Sequence, residues 1–231
     1  MTDLVELLQA MGARISGIGT DTLEVDGVDT LHGASHTVIP DRIEAGTYAI
    51  AGALCGDSVT VAGCRPDHLG ALLEVLRASG VTPVVAPTSI TVRRPAQLKA
   101  VSVTTTEFPG FATDLQAQTV AFMTQADGVA EITEAIFESR FQHALELMRL
   151  GAHIEVDGRT ARITGPTPLT GAMVMASDLR ASAALVLAGL VAEGETVVDR
   201  IYHLDRGYES MEQKLLALGA AIERFNPGPF V

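Results

Sequence analysis

The sequence predicts an α+β fold with a pseudo-threefold repeat, its small apolar helices inside and its sheets outside. Three observations predict it. Helix-ending dipeptides recur at Met11-Gly12, Ser79-Gly80, Leu150-Gly151 and Leu218-Gly219, spaced 68, 71 and 68 residues apart. After three of them come a strand pair, a Leu-x-Gly/Ala step (Leu31-Gly33, Leu98-Ala100, Leu169-Gly171) and then an aspartate before a helix. Those aspartates, Asp41, Asp114 and Asp178, stand 73 and 64 residues apart. Finally, the helices behind them are small and apolar on most faces, the pattern of a buried helix rather than a half-solvated one. Such a period is too long for a solenoid. It fits a unit of two helices and about four strands used three times, with the usual order of helices over sheet reversed.

Residues 3–12 carry Leu4, Leu7, Leu8 and Met11 on one helical face, with Gly12 as the stop. Ala13 to Ile18 and Thr22 to Val28 read as a strand pair around a Gly19-Thr20-Asp21 turn. A further extended run ends at Pro40. Asp41-Arg42-Ile43-Glu44 has the spacing of a capping box, opening a helix to about Leu54. Asp57 to Gly63 reads as a strand, and Pro66-Asp67 opens an amphipathic helix ending at Gly80. The pattern then repeats twice. It finishes with a helix over 208–219, a strand stub at Ala221 to Phe225 and a frayed tail from Asn226. No linker divides the repeat.

The chain has 231 residues, 47% of them apolar and 19% charged, which is globular composition. Its net charge of −12 argues against nucleic acid or an anionic membrane as a partner. Of sixteen basic residues only Lys99 and Lys214 are lysines. Arginine is the better bidentate partner for phosphate and carboxylate, so a local anion site remains open. Cys55 and Cys64 form no metal-ligand or disulfide pattern and read as buried reduced thiols, so neither metal nor cofactor is expected. There is no signal peptide pattern and no apolar run of about 18 residues to span a membrane.

An aspartate before a helix is ordinarily an N-cap, and that suffices for Asp41. Asp114 follows the irregular loop Phe108-Pro109-Gly110-Phe111-Ala112, and Thr113 can serve as the cap and leave Asp114 facing a cleft. Asp178 likewise has a competing cap in Ser177. Arg180, at a positive helix start, is either solvated or placed for an anionic ligand. Glu138 and Arg140 in Phe137-Glu138-Ser139-Arg140-Phe141 can form a weak surface pair. The stretch from Asp199 to Glu209 holds three acids, two arginines and His203, more charge than a turn needs. His203 by itself is more often structural than catalytic. No P-loop, GxGxxG or nucleophile–His–Asp pattern occurs.

The segments PDRIEAGT, FPGFATDLQAQ, FESRF, MASDLRASAALVLAGLVAEG and DRIYHLDRGYE resemble the enolpyruvyl transferase family, in its UDP-N-acetylglucosamine 1-carboxyvinyltransferase branch. The likeness runs from about Asp3 to Arg224. It implies an inside-out α/β barrel (an α/β prism) of two domains, each with three pseudo-symmetric β-α-β-α-β-β units. It implies transfer of the enolpyruvyl group of phosphoenolpyruvate to the 3′-hydroxyl of UDP-N-acetylglucosamine, releasing phosphate. That is the first committed step of peptidoglycan synthesis, and it ties the protein to cell wall biogenesis, cell shape and division in the cytoplasm. Residue by residue, the resemblance implies that Asp114 contacts the sugar hydroxyl as general base and Asp178 is a second acid near the reacting carbons. Ile136 and Phe137 supply a contact to the UDP-sugar, with Arg140 in the same region. Arg180 and Arg206 hold the phosphate and carboxylate of phosphoenolpyruvate.

The family's lysine–asparagine pair and loop cysteine have no match here; neither Cys55, Cys64, Lys99 nor Lys214 stands in those settings. The chain therefore reads as roughly a C-terminal half. Residues 1–38 are expected to end the other domain of the parent enzyme, or to complete the third unit of this one, and residues 39–225 to form one domain of three repeats. Little or no turnover is expected of it alone. Two other readings stand beside this one: a non-catalytic fragment or split subunit needing a partner domain, and a related transferase with another acceptor. Surface left by a missing domain would also favour self-association.

Overall fold

In the computed structural model, which describes residues 1–225, the chain divides into two units at Pro40 and Asp41. In the first, α1 (Thr2–Ala10) buries Val5. The hairpin strands β1 (Arg14–Ser16) and β2 (Glu24–Asp26) pair antiparallel, Arg14 opposite Asp26. The turn between them uses Gly17 and Gly19 at φ of 80° and 83°, conformations open to glycine at little cost. The extended run before Pro40 joins no strand.

The second unit holds the repeat. Its first round is α2 (Arg42–Cys55), β3 (Val59–Ala62), a 3₁₀ turn Pro66–Leu69 running into α3 (Gly70–Ala78), then β4 (Val84–Ala86) and β5 (Ser89–Val92). The second is β6 (Val103–Thr104), a 3₁₀ turn Thr113–Leu115, α4 (Gln116–Met123), β7 (Gly128–Thr133), α5 (Gln142–Arg149), β8 (His153–Asp157) and β9 (Thr160–Gly165). The third is β10 (Met173–Met175), α6 (Leu179–Gly189), β11 (Val197–Asp199), a 3₁₀ turn Ile201–Arg206 and α7 (Met211–Ala217).

The three sheets repeat one order. The full version is β6-β7-β9-β8: β6 runs parallel to β7 across α4, and β9 pairs antiparallel with both β7 and β8. The first round has β3-β5-β4, the same order without its leading strand. The third has the parallel pair β10-β11 without a following hairpin among the described residues. Alternation fixes the faces: Ala130 and Ile132 of β7 point inward beside Ile163 and Ala161 of β9.

Helices α2, α4 and α6 pack against one another. Every residue of α4 is buried, as are eleven of α2. Alanines make the close approach possible: Ala49 and Ala53 in α2, Ala117 and Ala121 in α4, Ala183, Ala184 and Ala188 in α6. Each amphipathic helix ends as the sequence predicts, on Gly12, Gly80, Gly151 and Gly219 at φ of 101°, 91°, 97° and 95°.

Several local expectations are corrected. The last helix begins at Met211, because 3₁₀ geometry holds Ile201–Arg206. Ala221 to Phe225 forms no strand; the third round offers it no described partner. The expected frayed tail, 226–231, lies outside the described residues. Cys64 is buried, but Cys55 closes α2 at an exposed position, and both thiols are free. Among the described residues no helix is long and apolar enough to cross a membrane.

Candidate active site

The three aspartates take two different positions. Asp41 caps α2, its Oδ1 accepting from the amides of Ile43 (2.7 Å) and Glu44 (3.2 Å). Glu44 does not complete a capping box; it turns to Lys214 Nζ at 2.7 Å. Asp178 caps α6, taking the amides of Arg180 and Ala181 at 2.9 Å each. Ser177 is therefore not the cap, and its hydroxyl donates instead to the other Asp178 oxygen at 3.1 Å. Asp114 caps nothing. The 3₁₀ turn over Thr113–Leu115 delays the helix to Gln116 and leaves the carboxylate outside the backbone.

That carboxylate is held by two arginines. Oδ1 accepts from Arg140 Nη2 at 2.8 Å and Oδ2 from Arg180 Nη2 at 3.2 Å. Arg140 is thus not paired with Glu138, which meets Arg159 at 3.0 Å. The Arg140 guanidinium lies 4.8 Å over the Phe137 ring, and its Nη1 donates to Thr113 Oγ1 at 2.6 Å. Thr113, expected as a cap, serves as this bridge. Arg180 arrives from the first turn of α6, largely buried. Its Nη1 is buried without a partner among the described residues.

Two buried groups that sequence reading missed organise this cluster. Glu134, 1% exposed, accepts from Thr105 and Thr113 hydroxyls and from the Ile136 and Phe137 amides. Tyr208, also 1% exposed, places its hydroxyl 2.9 Å from Thr47 Oγ1 and 3.1 Å from Gln118 Nε2. A strand ending in an acid, Ile132-Thr133-Glu134, is the one signal that pointed to the first. Tyr208 falls in the charge-rich stretch from Asp199 to Glu209, but its role is not legible there, because its partners lie 161 and 90 residues away.

Burial pushes the Asp114 carboxyl upward, but the hydrogen bonds and charges of Arg140 and Arg180 outweigh it and hold the group below its ordinary range. Glu134 behaves alike: burial raises it, and its four donors more than cancel that. Burial works against the charged Arg180, yet Asp114 and the Tyr208 hydroxyl raise its pKa on balance. His143, 2% exposed on α5, is pushed down to about 4, by burial first and Arg140 next, against the pull of Asp178.

Of the sequence-predicted residues, Asp114, Arg140 and Arg180 touch directly, and Glu134 links Ile136 and Phe137 to them through Thr113. Asp178 stands at the start of the helix that carries Arg180. Arg206 is exposed at the end of its 3₁₀ turn, and the neighbouring Asp205 is taken by Arg224 at 2.9 Å. No group of three or more His, Cys, Asp or Glu side chains among the described residues is placed to hold a metal. The arrangement offers an ionised carboxylate with open lone pairs beside two guanidinium forks, suited to a hydroxyl and to anions.

Residues 1–215 match the family model for EPSP synthase (3-phosphoshikimate 1-carboxyvinyltransferase). The chain belongs to this family of enolpyruvyl transferases. Among curated relatives, the UDP-N-acetylglucosamine 1-carboxyvinyltransferase of Solibacter usitatus is 57% identical over 97% of this chain and 54% of its own length. That of Rhodopseudomonas palustris is 56% identical over 98% of this chain and 53% of its own length. The chain spans about half the length of the curated relatives it matches. Among solved structures, the enolpyruvyl transferase NikO from Streptomyces tendae superposes with a TM-score of 0.86 at 33% identity, covering 95% of this chain and 52% of that one. EPSP synthase from Acinetobacter baumannii, 22% identical, superposes over 70% of this chain and 39% of its own with a TM-score of 0.56, a likeness of fold alone. The α/β fold and the family are thus common to this chain and these enolpyruvyl transferases.

Proposed function

We propose that this chain supplies one side of an active site that transfers the enolpyruvyl group of phosphoenolpyruvate to the 3′-hydroxyl of UDP-N-acetylglucosamine. The observation that carries the reading is the Asp114 carboxylate clamped between Arg140 and Arg180. Asp114 accepts a hydrogen bond from the sugar hydroxyl as that oxygen attacks C2 of phosphoenolpyruvate. A proton adds at C3, and loss of phosphate with a C3 proton restores the double bond. Asp178 stands as the second carboxylate near carbon that gains cationic character. Arg180 and Arg206 hold the phosphate and carboxylate, and the Ile136–Phe137 segment takes the nucleotide-sugar. A carboxylate tied to two arginines is a poor base. An incoming anion that draws Arg180 away raises the basicity of Asp114, so the base is released when the second substrate is present.

The three repeats are read as one α/β prism with the buried helices α2, α4 and α6 at its centre. Residues 1–38 are read as part of a neighbouring domain, which the division at Pro40 and Asp41 supports. The relatives are about twice as long, so the rest of the site, including a lysine–asparagine pair and a loop cysteine, would come from that other half. The product feeds peptidoglycan synthesis, and hence cell shape and division, in the cytoplasm.

The test is phosphate release from phosphoenolpyruvate and UDP-N-acetylglucosamine, by this chain alone and mixed with the N-terminal half of a relative. Little turnover is expected alone, and turnover on mixing that Asp114→Asn abolishes. Turnover indifferent to Asp114→Asn refutes the assignment.

A further inference from the structure

The Asp114 cluster depends on two segments meeting in one register: the 3₁₀ turn with Thr113 and Asp114, and the loop from Ile136 to Arg140. Glu134 is bonded to both. Its Oε1 accepts from Thr105 Oγ1 at 2.8 Å, the Ile136 amide at 2.9 Å and the Phe137 amide at 3.1 Å. Its Oε2 accepts from Thr113 Oγ1 at 2.7 Å. Thr105 in turn accepts from the Ala135 amide at 2.9 Å. Three consecutive amides of the loop are therefore pinned, directly or through Thr105, to one buried carboxylate. From Thr113 the chain of contacts continues to Arg140 Nη1 at 2.6 Å and from Arg140 Nη2 to Asp114 at 2.8 Å.

We infer that Glu134 is a positioning residue that sets the Ile136–Phe137 backbone and, through Thr113 and Arg140, the orientation of the Asp114 carboxylate as one unit. A fold needs no buried carboxylate at the end of β7. An apolar residue there would avoid desolvating a charge. What only a carboxylate supplies is an acceptor for four donors from three segments: Thr105, Thr113 and the Ile136–Phe137 loop. It holds Thr113 as a donor, which leaves the Thr113 oxygen free to accept from Arg140. The inference deepens the proposed function, since the positioned groups are those assigned to the nucleotide-sugar and its hydroxyl.

Glu134→Gln keeps the shape and removes the second acceptor. Three donors compete for its remaining oxygen, so the amide nitrogen turns to Thr113, whose hydroxyl loses its acceptor and meets a donor beside Arg140. The experiment compares wild type, Glu134→Gln, Thr113→Val and Thr113→Ser, all first verified as folded by circular dichroism. Carbon-detected titration of the Asp114 carboxyl, amide hydrogen exchange at Ile136 and Phe137, and UDP-N-acetylglucosamine affinity are then measured. Both Glu134→Gln and Thr113→Val are expected to move Asp114 upward toward the ordinary carboxylate range and to weaken nucleotide-sugar binding about tenfold. Glu134→Gln also speeds exchange at the two amides about tenfold, and Thr113→Ser, which keeps the hydroxyl, restores the wild-type titration. Loss of a neighbouring negative charge without any positioning effect would instead move Asp114 downward in Glu134→Gln. That result, or unchanged exchange at Ile136 and Phe137, overturns the inference. If the wild-type chain mixed with the N-terminal half of a relative binds no nucleotide-sugar while titration and exchange change as expected, the substrate assignment fails and the positioning role stands.

Discussion

Tyr208→Phe tests whether the buried hydroxyl cluster ties helices α2 and α4 to the segment before α7. The ring is 1% exposed, and phenylalanine keeps its packing. What is lost is one oxygen, with contacts to Thr47 Oγ1 at 2.9 Å and Gln118 Nε2 at 3.1 Å. Neither partner is orphaned. Thr47 still donates to the Ile43 carbonyl at 2.9 Å, and Gln118 Nε2 still reaches Thr47 and the Asp114 carbonyl at 3.0 Å each. The cost therefore belongs to net hydrogen-bond values, about 1 kcal/mol apiece, and not to desolvation penalties, giving about 2 kcal/mol. For a unit of this size that lowers the melting temperature by about 4–8 °C. Thermal unfolding followed by circular dichroism reads it, with Thr47→Val and the double variant closing a cycle. Residues in one network couple, so the double variant should cost less than the sum of the singles. A melting temperature within about 1 °C of wild type, or strict additivity, refutes the account.

Two further predictions follow from the same geometry. His143 titrates at about 4 in the folded chain, below its ordinary value, so between roughly pH 6.5 and 4 the unfolded chain binds more protons and stability falls as pH drops. The loss is complete below the folded value and amounts to roughly 3 kcal/mol; urea unfolding at stepped pH should show a slope that His143→Phe removes. Asp178→Ala strips the cap from α6 and should cost about 1 kcal/mol, whereas Asp178→Asn keeps a capping oxygen and should cost a few tenths. With the chain mixed with the N-terminal half of a relative, phosphate release lost in Asp178→Asn at near-normal stability assigns the carboxylate to chemistry, and release retained assigns it to capping alone.

Much of the scaffold was legible because it rests on local rules. The glycines that end helices at Gly12, Gly80, Gly151 and Gly219 need positive φ whatever surrounds them. The uniformly apolar runs behind the aspartates have no wet face to offer. The site was legible in its parts but not in its connections. Arg140 looked like a partner for Glu138 because they are two residues apart; its carboxylate came from Asp114, 26 residues away. Glu134 and Tyr208 were missed because what makes them matter is a set of partners that only the fold assembles. The strand stub at 221–225 failed for the converse reason: alternation suggests a strand, but a strand needs a neighbour.

The divergence of the three aspartates shows where scaffold and site part. Each copy stands before a buried helix, and in two of them the carboxylate meets the same demand, the unpaired amides of the first turn. Asp41 and Asp178 each answer it with one oxygen. In the middle copy the 3₁₀ turn lets the Leu115 amide reach the Ala112 carbonyl at 2.9 Å, meeting part of that demand with backbone. Asp114 is thereby released from capping, and both its oxygens turn to arginines. A carboxylate spent on a cap has one oxygen committed to the helix. A carboxylate freed from it has both available to charged side chains, here those of Arg140 and Arg180. The difference between the copies is one turn of tighter backbone at Thr113–Leu115, and it is the feature that separates Asp114 from its two equivalents.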